Sequence, residues 1–355
     1  MEERNEKRLS VAPSPALLLY CRAGFESECA QEITAVCTAR GTPGKALFAG
    51  NSGFVEFSGG GAEPPQRGPD WRKLIFARQC LPAFAMLEAL PRNDRLTPIM
   101  ATLHARGDVF GEVWIEAPDT NTGKELAPLC KSFGNALVGS MKKGRLLDPA
   151  TGQQRLHAFF PQGDKVYLCA ADPALTAPWP QGIPRLKMPR EAPSRSTLKL
   201  EEAFLTLLND DEQRRWLKPG MRAVDLGAAP GGWTYQLVRR SIRVSAIDNG
   251  PMERALLDSG LVEHLRADGF RFRPRQPVDW LVCDMVEQPR RIADLIAQWL
   301  ENGACQRAIF NLKLPMKKRY EETQACLARV RAVAGDVRAK QLYHDREEIT
   351  VFAAR

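Results

Sequence analysis

The sequence predicts an α/β protein whose C-terminal part, residues 194–355, is a doubly wound, mostly parallel sheet preceded by smaller α+β units. Three observations carry this expectation. After residue 194 the apolar runs RAVDLG, RVSAIDN, VDWLVCDM and RAIFNLKL are separated by helical stretches such as TYQLVRRS and ADLIAQWLENG. Parallel strands covered on both faces by crossover helices read this way. Before residue 171, strand-like and helix-like segments alternate on a smaller scale. Between the two parts, ADPALTAPWPQGIPRLKMPREAPSRS places six prolines in residues 171–196, a density that forbids regular helix or central strand.

In chain order, ALLLYCRAG reads as a strand, ESECAQEITAVCTARG as an amphipathic helix and GFVEFSG as a strand. GGGAEPPQRGPD is a loop, and WRKLIFARQCLPAFAML restarts an apolar strand that closes a first unit over residues 1–90. A second unit, 91–170, contains PIMATLHA, the strand GEVWIEAPD, a helix through GKELAPLCKSFGNALVGSMKKG and two strands in HAFFPQGDKVYLCAAD. The helix ends in Lys142, Lys143, Gly144 and Arg145. Cations suit a helix C-terminus, so phosphate contact and simple dipole compensation both fit. Residues 171–193 read as a semi-rigid linker, and in 185–195 Arg185, Lys187, Arg190 and Arg195 stand against Glu191. A nucleic-acid groove or a solvated connector fits equally. In the last part SRSTLKLEEAFLTLL opens a helix with Ser196 as N-cap and apolar positions at 200, 204, 207 and 208. The long helix YEETQACLARVRAVAG, strand-like QLYHD and a closing antiparallel strand in EEITVFAA complete the chain.

Composition bounds the function. The 355 residues are 44% apolar and 26% charged, which is ordinary for a globular protein of two or three domains, and the net charge of +8 leans toward an anionic partner such as nucleic acid. Nine scattered cysteines (21, 29, 37, 80, 130, 169, 283, 305, 326) form no C-x-x-C, and the four histidines cluster with none of them. A disulfide framework and a metal site are therefore not expected. The N-terminal apolar run is too short for a secretory signal, and no run reaches the ~18 apolar residues of a membrane span, so a cytoplasmic location without membrane contact is expected.

The chemistry gathers where strands end. Asp225 precedes the turn GAAPGG, Asp248 ends the next strand, Asp268 closes HLRADG and Asp284 follows LVC. Single strand-end aspartates are often turn formers or caps, but four along one edge favour a ligand site beyond the carboxyl ends. The turn is not a P-loop, because Trp233 rather than lysine follows Gly232, and it is not G-x-G-x-x-G. Pro230 removes an amide donor that a pyrophosphate would use, while Asp225 would repel phosphate and suit an ammonium. A nucleoside with a positive end and no phosphate fits, which is S-adenosylmethionine, with Asp248 accepting from ribose hydroxyls and Gly227, Gly231 and Gly232 letting the backbone pass close. Lys199 falls in the first turn of its helix, where the dipole disfavours a cation by ~0.3–1 kcal/mol. Lys313 ends the strand AIFNLK, and Glu348 starts a strand whose antiparallel course would bring it to the same edge. Lys199, Asp284, Lys313 and Glu348 would then converge beside the cofactor. They suit methyl transfer to a ribose 2′-hydroxyl, with a desolvated lysine beside a second cation as base; an ion-pair network of purely structural purpose is the alternative.

SRSTLKLEEAF, DLGAAPGGWTYQL, VCDM, FNLKLPMKKRYEE and LYHDREEITVF together resemble the bacterial 23S rRNA cytidine 2′-O-ribose methyltransferases of the RlmM family. That family is related to the heat-shock rRNA methyltransferase and fibrillarin-like enzymes that share a Lys-Asp-Lys-Glu tetrad. The resemblance runs nearly unbroken over residues 193–352, and more weakly upstream, where the family has a ferredoxin-like unit followed by a THUMP domain. It implies a Rossmann-like S-adenosylmethionine-dependent methyltransferase domain, Lys199, Asp284, Lys313 and Glu348 as the tetrad, and Lys313 as proton acceptor. It also implies cofactor contacts from Ser196, Ala229, Pro230, Gly231, Gly232, Asp248, Asp268 and Asp284. The family pattern has cysteine where this chain has Ala229, a small-for-small change in the turn. The implied substrate is a cytidine in the peptidyltransferase region of 23S rRNA, protein-free or early in assembly, met by a monomer with no obligate protein partner. The THUMP-like region, the basic linker and RFRPR (271–275) would hold the RNA. A methyltransferase for another structured RNA, a non-catalytic RNA-binding assembly factor and a nicotinamide-dependent oxidoreductase are the rival readings; the missing G-x-G-x-x-G weighs against the last.

Overall fold

The computed structural model describes residues 10–12, 14–59 and 68–355. The expected loop GGGAEPPQRGPD lies mostly outside the described residues, as does the extreme N-terminus. The chain forms two compact units, one reaching Ile183 and the other beginning at Pro184.

In the first unit the order is β1 (Ser10–Ala12), β2 (Leu17–Cys21), α1 (Glu26–Ala39), β3 (Gly44–Leu47), β4 (Phe54–Gly59) and β5 (Ala77–Glu88). There follow α2 (Leu96–Arg106), β6 (Phe110–Glu116), α3 (Asn121–Glu125), α4 (Ala127–Lys143), β7 (Gln154–Gln162) and β8 (Lys165–Ala171). PIMATLHA thus lies in a helix, and the helix expected through residues 123–144 is two, separated at Leu126. The long β5 pairs antiparallel with β2 and with β8, which makes β3-β4-β2-β5-β8-β7-β6 one continuous sheet. Both α+β segments of the sequence therefore share a single ladder through β5.

The proline-rich segment corrects an expectation. Its first part, expected to belong to a semi-rigid linker, is a strap packed on the first unit, with Thr176, Ala177 and Ile183 buried. Ala177 N donates to Gln79 Oε1 at 3.1 Å, Gln181 N to Glu116 Oε1 at 2.5 Å, and Arg155 donates to Thr176 Oγ1 at 3.1 Å. Prolines deny the strap a ladder, so buried side chains of the sheet accept from the backbone donors that remain.

The second unit runs α5 (Thr197–Leu207), α6 (Asp210–Trp216), β9 (Arg222–Leu226), α7 (Gly232–Val238), β10 (Arg243–Ile247), α8 (Arg254–Asp258) and β11 (Val262–Leu265). It continues with β12 (Val278–Cys283), α9 (Pro289–Glu301), β13 (Cys305–Lys313), α10 (Arg319–Arg331), β14 (Asp336–Lys340) and β15 (Glu348–Ala354). The strand order is β11-β10-β9-β12-β13-β15-β14, parallel except for β15, which is antiparallel to both neighbours. The doubly wound α/β fold with its closing antiparallel strand is therefore present. The order reverses between β9 and β12, where a crevice forms beyond the carboxyl ends of such sheets.

QLYHD is not the penultimate strand. That strand is DVRAK, five residues earlier, and 341–345 is a buried turn between β14 and β15. Its burial gives it a strand-like apolar character without a ladder. On one face of the sheet, Leu200, Ala203, Phe204 and Leu207 of α5 pack with Trp280, Ile309 and Phe352. Phe352 is fully buried, with ring centroids 5.9 Å from Trp216 and 6.1 Å from Trp280. Phe352→Ala should leave a cavity there and destabilise the second unit by ~3–5 kcal/mol, read as a lowered urea midpoint by tryptophan fluorescence.

Candidate active site

Asp248, Asp284, Lys313 and Glu348 lie along the carboxyl edge of the second sheet. Asp284 follows β12 directly, Lys313 is the last residue of β13 and Glu348 the first of β15. The β13–β15 register places Lys313 opposite Glu348. Residues opposite each other in an antiparallel pair project to the same face, so the strand crossing sets this pair. Glu347 is one residue out of phase; it faces outward and accepts from Arg319 at 2.6 Å.

Lys199 comes from the other direction, in the first turn of α5. Its Nζ lies 3.4 Å from Asp284 Oδ1 and forms an ion pair with Glu348. Burial lowers the pKa of this ammonium, but Asp284 and Glu348 outweigh burial and hold it above its ordinary value. The electrostatic cost of a cation at a helix N-terminus is thereby offset. Burial pushes the Asp284 carboxyl up, with Lys199 opposing. Asn311 Nδ2 donates to Asp284 Oδ1 at 2.7 Å.

Lys313 departs from expectation in one respect. It is exposed rather than desolvated by the chain. Three of the four residues are thus in direct contact, and the fourth is set beside them by register.

The glycine turn lies after β9. Asp225 is not at the mouth of the turn but within β9, fully buried, where Thr234 Oγ1 of α7 donates to its Oδ2 at 2.6 Å. Its Oδ1 is buried without a hydrogen-bond partner, and burial raises its pKa to about 7. Within the chain the partner of Asp225 is a hydroxyl, and the carboxyl braces the turn from beneath. Gly231 has φ 116°, open to glycine alone, and Gly232 begins α7 against the start of α5. A Cβ on Gly232 would lie 2.1 Å from Ser196 Oγ and 2.5 Å from Ser194 Oγ. Gly227 also has a positive φ, of 78°, and the Ala229–Pro230 peptide is cis.

Ser196 occupies the N-cap position without capping: its φ/ψ is already helical, and its hydroxyl pairs with that of Ser194 at 2.7 Å. Asp248 accepts from Ala229 N at 3.0 Å and from Gly250 N at 2.7 Å, which ties the end of β10 to the turn. Asp268, beyond β11, is half-exposed and accepts from Phe270 N at 2.9 Å; it caps its own loop rather than joining the cluster.

Residues missed in the sequence complete the site. Thr350 Oγ1 lies 2.7 Å from Asn311 Oδ1 and just over 3 Å from both carboxyl oxygens of Asp345. Glu202 of α5 accepts from Tyr343 N at 2.7 Å and His344 N at 2.9 Å, anchoring the 341–345 turn. The period of two along a strand was the available signal, since Asn311 is two residues before Lys313 and Thr350 two after Glu348. Among the described residues no group of His, Cys, Asp and Glu side chains could hold a metal ion, and no helix is long and apolar enough to cross a membrane.

A doubly wound sheet with this turn and this carboxylate–lysine edge defines a Rossmann-like methyltransferase, and residues 192–300 match the family model for FtsJ-like methyltransferases. Upstream, residues 15–81 match the RlmM ferredoxin-like domain and residues 94–171 match "Ribosomal RNA large subunit methyltransferase M, N-terminal". The chain belongs to the ribosomal RNA large subunit methyltransferase M family. It is 54% identical over 344 residues to that protein of Xanthomonas oryzae pv. oryzae (strain PXO99A), covering 96% of this chain and 99% of the relative. Identity is 53%, with the same coverage, to the protein of Xanthomonas axonopodis pv. citri (strain 306). Among solved structures, TrmN from Thermus thermophilus is similar at 17% identity and a TM-score of 0.35, covering 96% of this chain and 99% of that one.

Two outcomes test the site. Gly232→Ala drives Cβ into the Ser194 and Ser196 hydroxyls and should cost ~1–3 kcal/mol of stability, measured by urea unfolding. The raised pKa of Asp225 means that the folded state binds its proton more tightly than the unfolded chain. Its contribution is fully present below the ordinary carboxyl pKa and is lost as pH rises toward about 7. Stability of the wild type should therefore fall from about pH 4 to about pH 7 more steeply than that of Asp225→Asn, by at most ~1.4 kcal/mol per pH unit.

Proposed function

We propose that the chain transfers a methyl group from S-adenosylmethionine to a ribose 2′-hydroxyl of large-subunit rRNA, with Lys199, Asp284, Lys313 and Glu348 as the reacting edge. The observation that carries this reading is the contrast between the two lysines. Lys199 is partly buried between two carboxylates that hold its pKa above the ordinary value, so it serves as a fixed cation and not as a base. Lys313 is exposed at the same edge, opposite Glu348. A ribose laid on the edge would cover Lys313 and bring its 2′-hydroxyl within reach of the Lys313 amine. Lys313 Nζ would then take the 2′-O–H proton as the oxygen bonds to the methyl carbon and the carbon–sulfur bond breaks, leaving the donor as a neutral thioether, and Lys199 would offset the negative charge that develops on that oxygen.

The turn fits the methyl donor. The backbone of 227–232 passes close without side chains at Gly227, Gly231 and Gly232, Ser196 lines the wall, and the Asp248 carboxylate keeps lone pairs for ribose hydroxyls after bracing the turn. When bound, S-adenosylmethionine supplies an electrophilic methyl on a sulfonium. Asp268 would reach the donor's nucleoside from the next loop.

The curated relatives are named as large-subunit rRNA methyltransferases, and the basic exterior agrees with an RNA substrate. Arg271, Arg273 and Arg275 are exposed in the loop before β12, and Lys142 and Lys143 end α4. Residues 91–170 are read as the RNA-binding THUMP domain, 23S rRNA as the target, the cytoplasm as the place of action and a monomer as the active form.

Lys313→Ala should abolish methyl transfer to unmodified rRNA while S-adenosylmethionine still binds by calorimetry; retained turnover would remove Lys313 as the base. RNA affinity should fall linearly on a log–log plot against salt, with a slope near −0.9 per phosphate contacted in duplex and near −0.7 in single strand. A flat salt dependence would contradict phosphate-led binding.

A further inference from the structure

Behind the reacting edge lies a carboxyl group that the chemistry above does not use. Asp345 is 1% exposed, in the turn between β14 and β15. Facing it are Lys199 and Glu202 from α5 and Glu348 from β15. Asn311 and Thr350 are cross-strand partners in the β13–β15 ladder, on the face shared by Lys313 and Glu348 and one pair further in. The four side chains Asp345, Thr350, Asn311 and Asp284 form an unbroken hydrogen-bonded line.

Counting hydrogens along that line fixes its direction. Asp284 accepts at Oδ1 from Asn311 Nδ2 at 2.7 Å, which leaves Asn311 Oδ1 turned toward Thr350. Thr350 has one hydroxyl hydrogen and two acceptor neighbours, Asn311 Oδ1 at 2.7 Å and the Asp345 carboxyl at 3.1–3.2 Å. The shorter contact takes the hydrogen. The contact to Asp345 is then favourable only if Asp345 itself donates, because an ionised carboxylate would face the lone pairs of the threonine oxygen. Leu342 N donates to Asp345 Oδ2 at 2.9 Å, so Oδ1 is the oxygen left to carry the hydrogen. Burial pushes the Asp345 carboxyl well above its ordinary pKa; Glu202 and Glu348 add to the shift, while Leu342 N and Lys199 oppose it. The burial of Asp345 and the hydrogen count favour the same protonated form.

We propose that Asp345 is a protonated hydrogen-bond donor that, through Thr350 and Asn311, holds Asp284 in the orientation that grips Lys199. Asp345 is thus a positioning residue: it touches neither substrate nor cofactor and acts through the Asn311 amide. The line is polarised in one sense, each group donating toward Asp284, so the Asp284 carboxylate receives a hydrogen bond whose donor is itself supported from behind. Loss of any link frees Asp284 to rotate, and Lys199 loses its fixed place beside the reacting oxygen. The inference rests on the tetrad reading given above.

The test uses the full-length chain, unmodified rRNA and S-adenosylmethionine. Thr350→Val keeps the shape and removes the link, and should lower kcat by about tenfold, with KM for both substrates within about twofold. Thr350→Ser restores the hydroxyl and should recover most of kcat. Asp345→Asn accepts from Leu342 N through its oxygen and donates to Thr350 through its amide, and should keep kcat within about threefold, whereas Asp345→Ala should lose about tenfold or more. A purely structural role would instead lower the melting temperature of these variants without separating Asn from Ala in kcat.

Wild-type kcat in Thr350→Val overturns the proposal. So does an Asp345→Asn chain that is inactive or unfolded, because a carboxamide satisfies every bond assigned to the protonated acid. If Thr350→Val fails to fold, the Asp345→Asn result still decides. Lys313→Ala, run in the same assay, separates the two levels. An active Lys313→Ala removes the tetrad reading itself, whereas an inactive Lys313→Ala beside a fully active Thr350→Val removes the relay alone.

Discussion

The pairing of β15 with β13 is the constraint on which the site depends. Glu348 stands opposite Lys313, Thr350 opposite Asn311 and Phe352 opposite Ile309, all on one face. The same ladder therefore sets the reacting edge, the polar line behind it and the aromatic core behind that. A slip of one residue would turn Glu347 inward, put Ile349 and Val351 where polar partners are required, and move Phe352 away from Trp216 and Trp280. Core and chemistry enforce the same register, and each is a reason for the other to be stable. Because β15 runs against its parallel neighbours, its first residue arrives at the edge where theirs end. An all-parallel sheet would bring the last residue of that strand there instead.

Helix α5 makes the second contribution. Its apolar face packs on the sheet through Leu200, Ala203, Phe204 and Leu207, its first turn delivers Lys199 to the carboxylates, and Glu202, one turn on, holds the 341–345 turn. One helix thus carries a cation into a buried site and anchors the loop that supplies Asp345. The two lysines differ in solvation: Lys199 is partly buried between two carboxylates that hold its pKa up, and Lys313 is exposed. Pairing at 3.4 Å in this partly buried edge is screened less than at an open surface, and the two carboxylates offset the desolvation of the ammonium.

Much of this was legible in the sequence. The strands β9, β10, β12, β13 and β15 are apolar runs bounded by turn residues, and their aspartates and lysines fall at the ends that share an edge. Choosing Glu348 over Glu347 needed only the start of ITVF. Less visible were features set by tertiary burial. β11 is short and only partly buried, so VEHL gives little periodic signal. QLYHD imitates a strand because it is buried as a turn, whereas the true strand, DVRAK, carries charge at the sheet edge. The strap at 172–183 read as part of a semi-rigid linker because composition shows prolines but not the Gln79 and Glu116 side chains that receive its backbone. Asp225 was expected at the turn's mouth; the ladder of β9 places it one residue deeper, beneath Thr234. Asn311, Thr350 and Asp345 are ordinary polar residues in sequence; the cross-strand pairing of Asn311 with Thr350 and the buried turn that carries Asp345 bring them into one hydrogen-bonded line.

The central claim is that the oxygen of a ribose, and not a base atom, receives the methyl group. It is tested most directly by labelling unmodified large-subunit rRNA with tritiated S-adenosylmethionine and hydrolysing the product in alkali. Alkaline cleavage of RNA needs a free 2′-hydroxyl as nucleophile, so a methylated ribose leaves the following linkage intact. The account predicts that the label appears in alkali-resistant dinucleotides. Label confined to mononucleotides would place the methyl group on a base and contradict it.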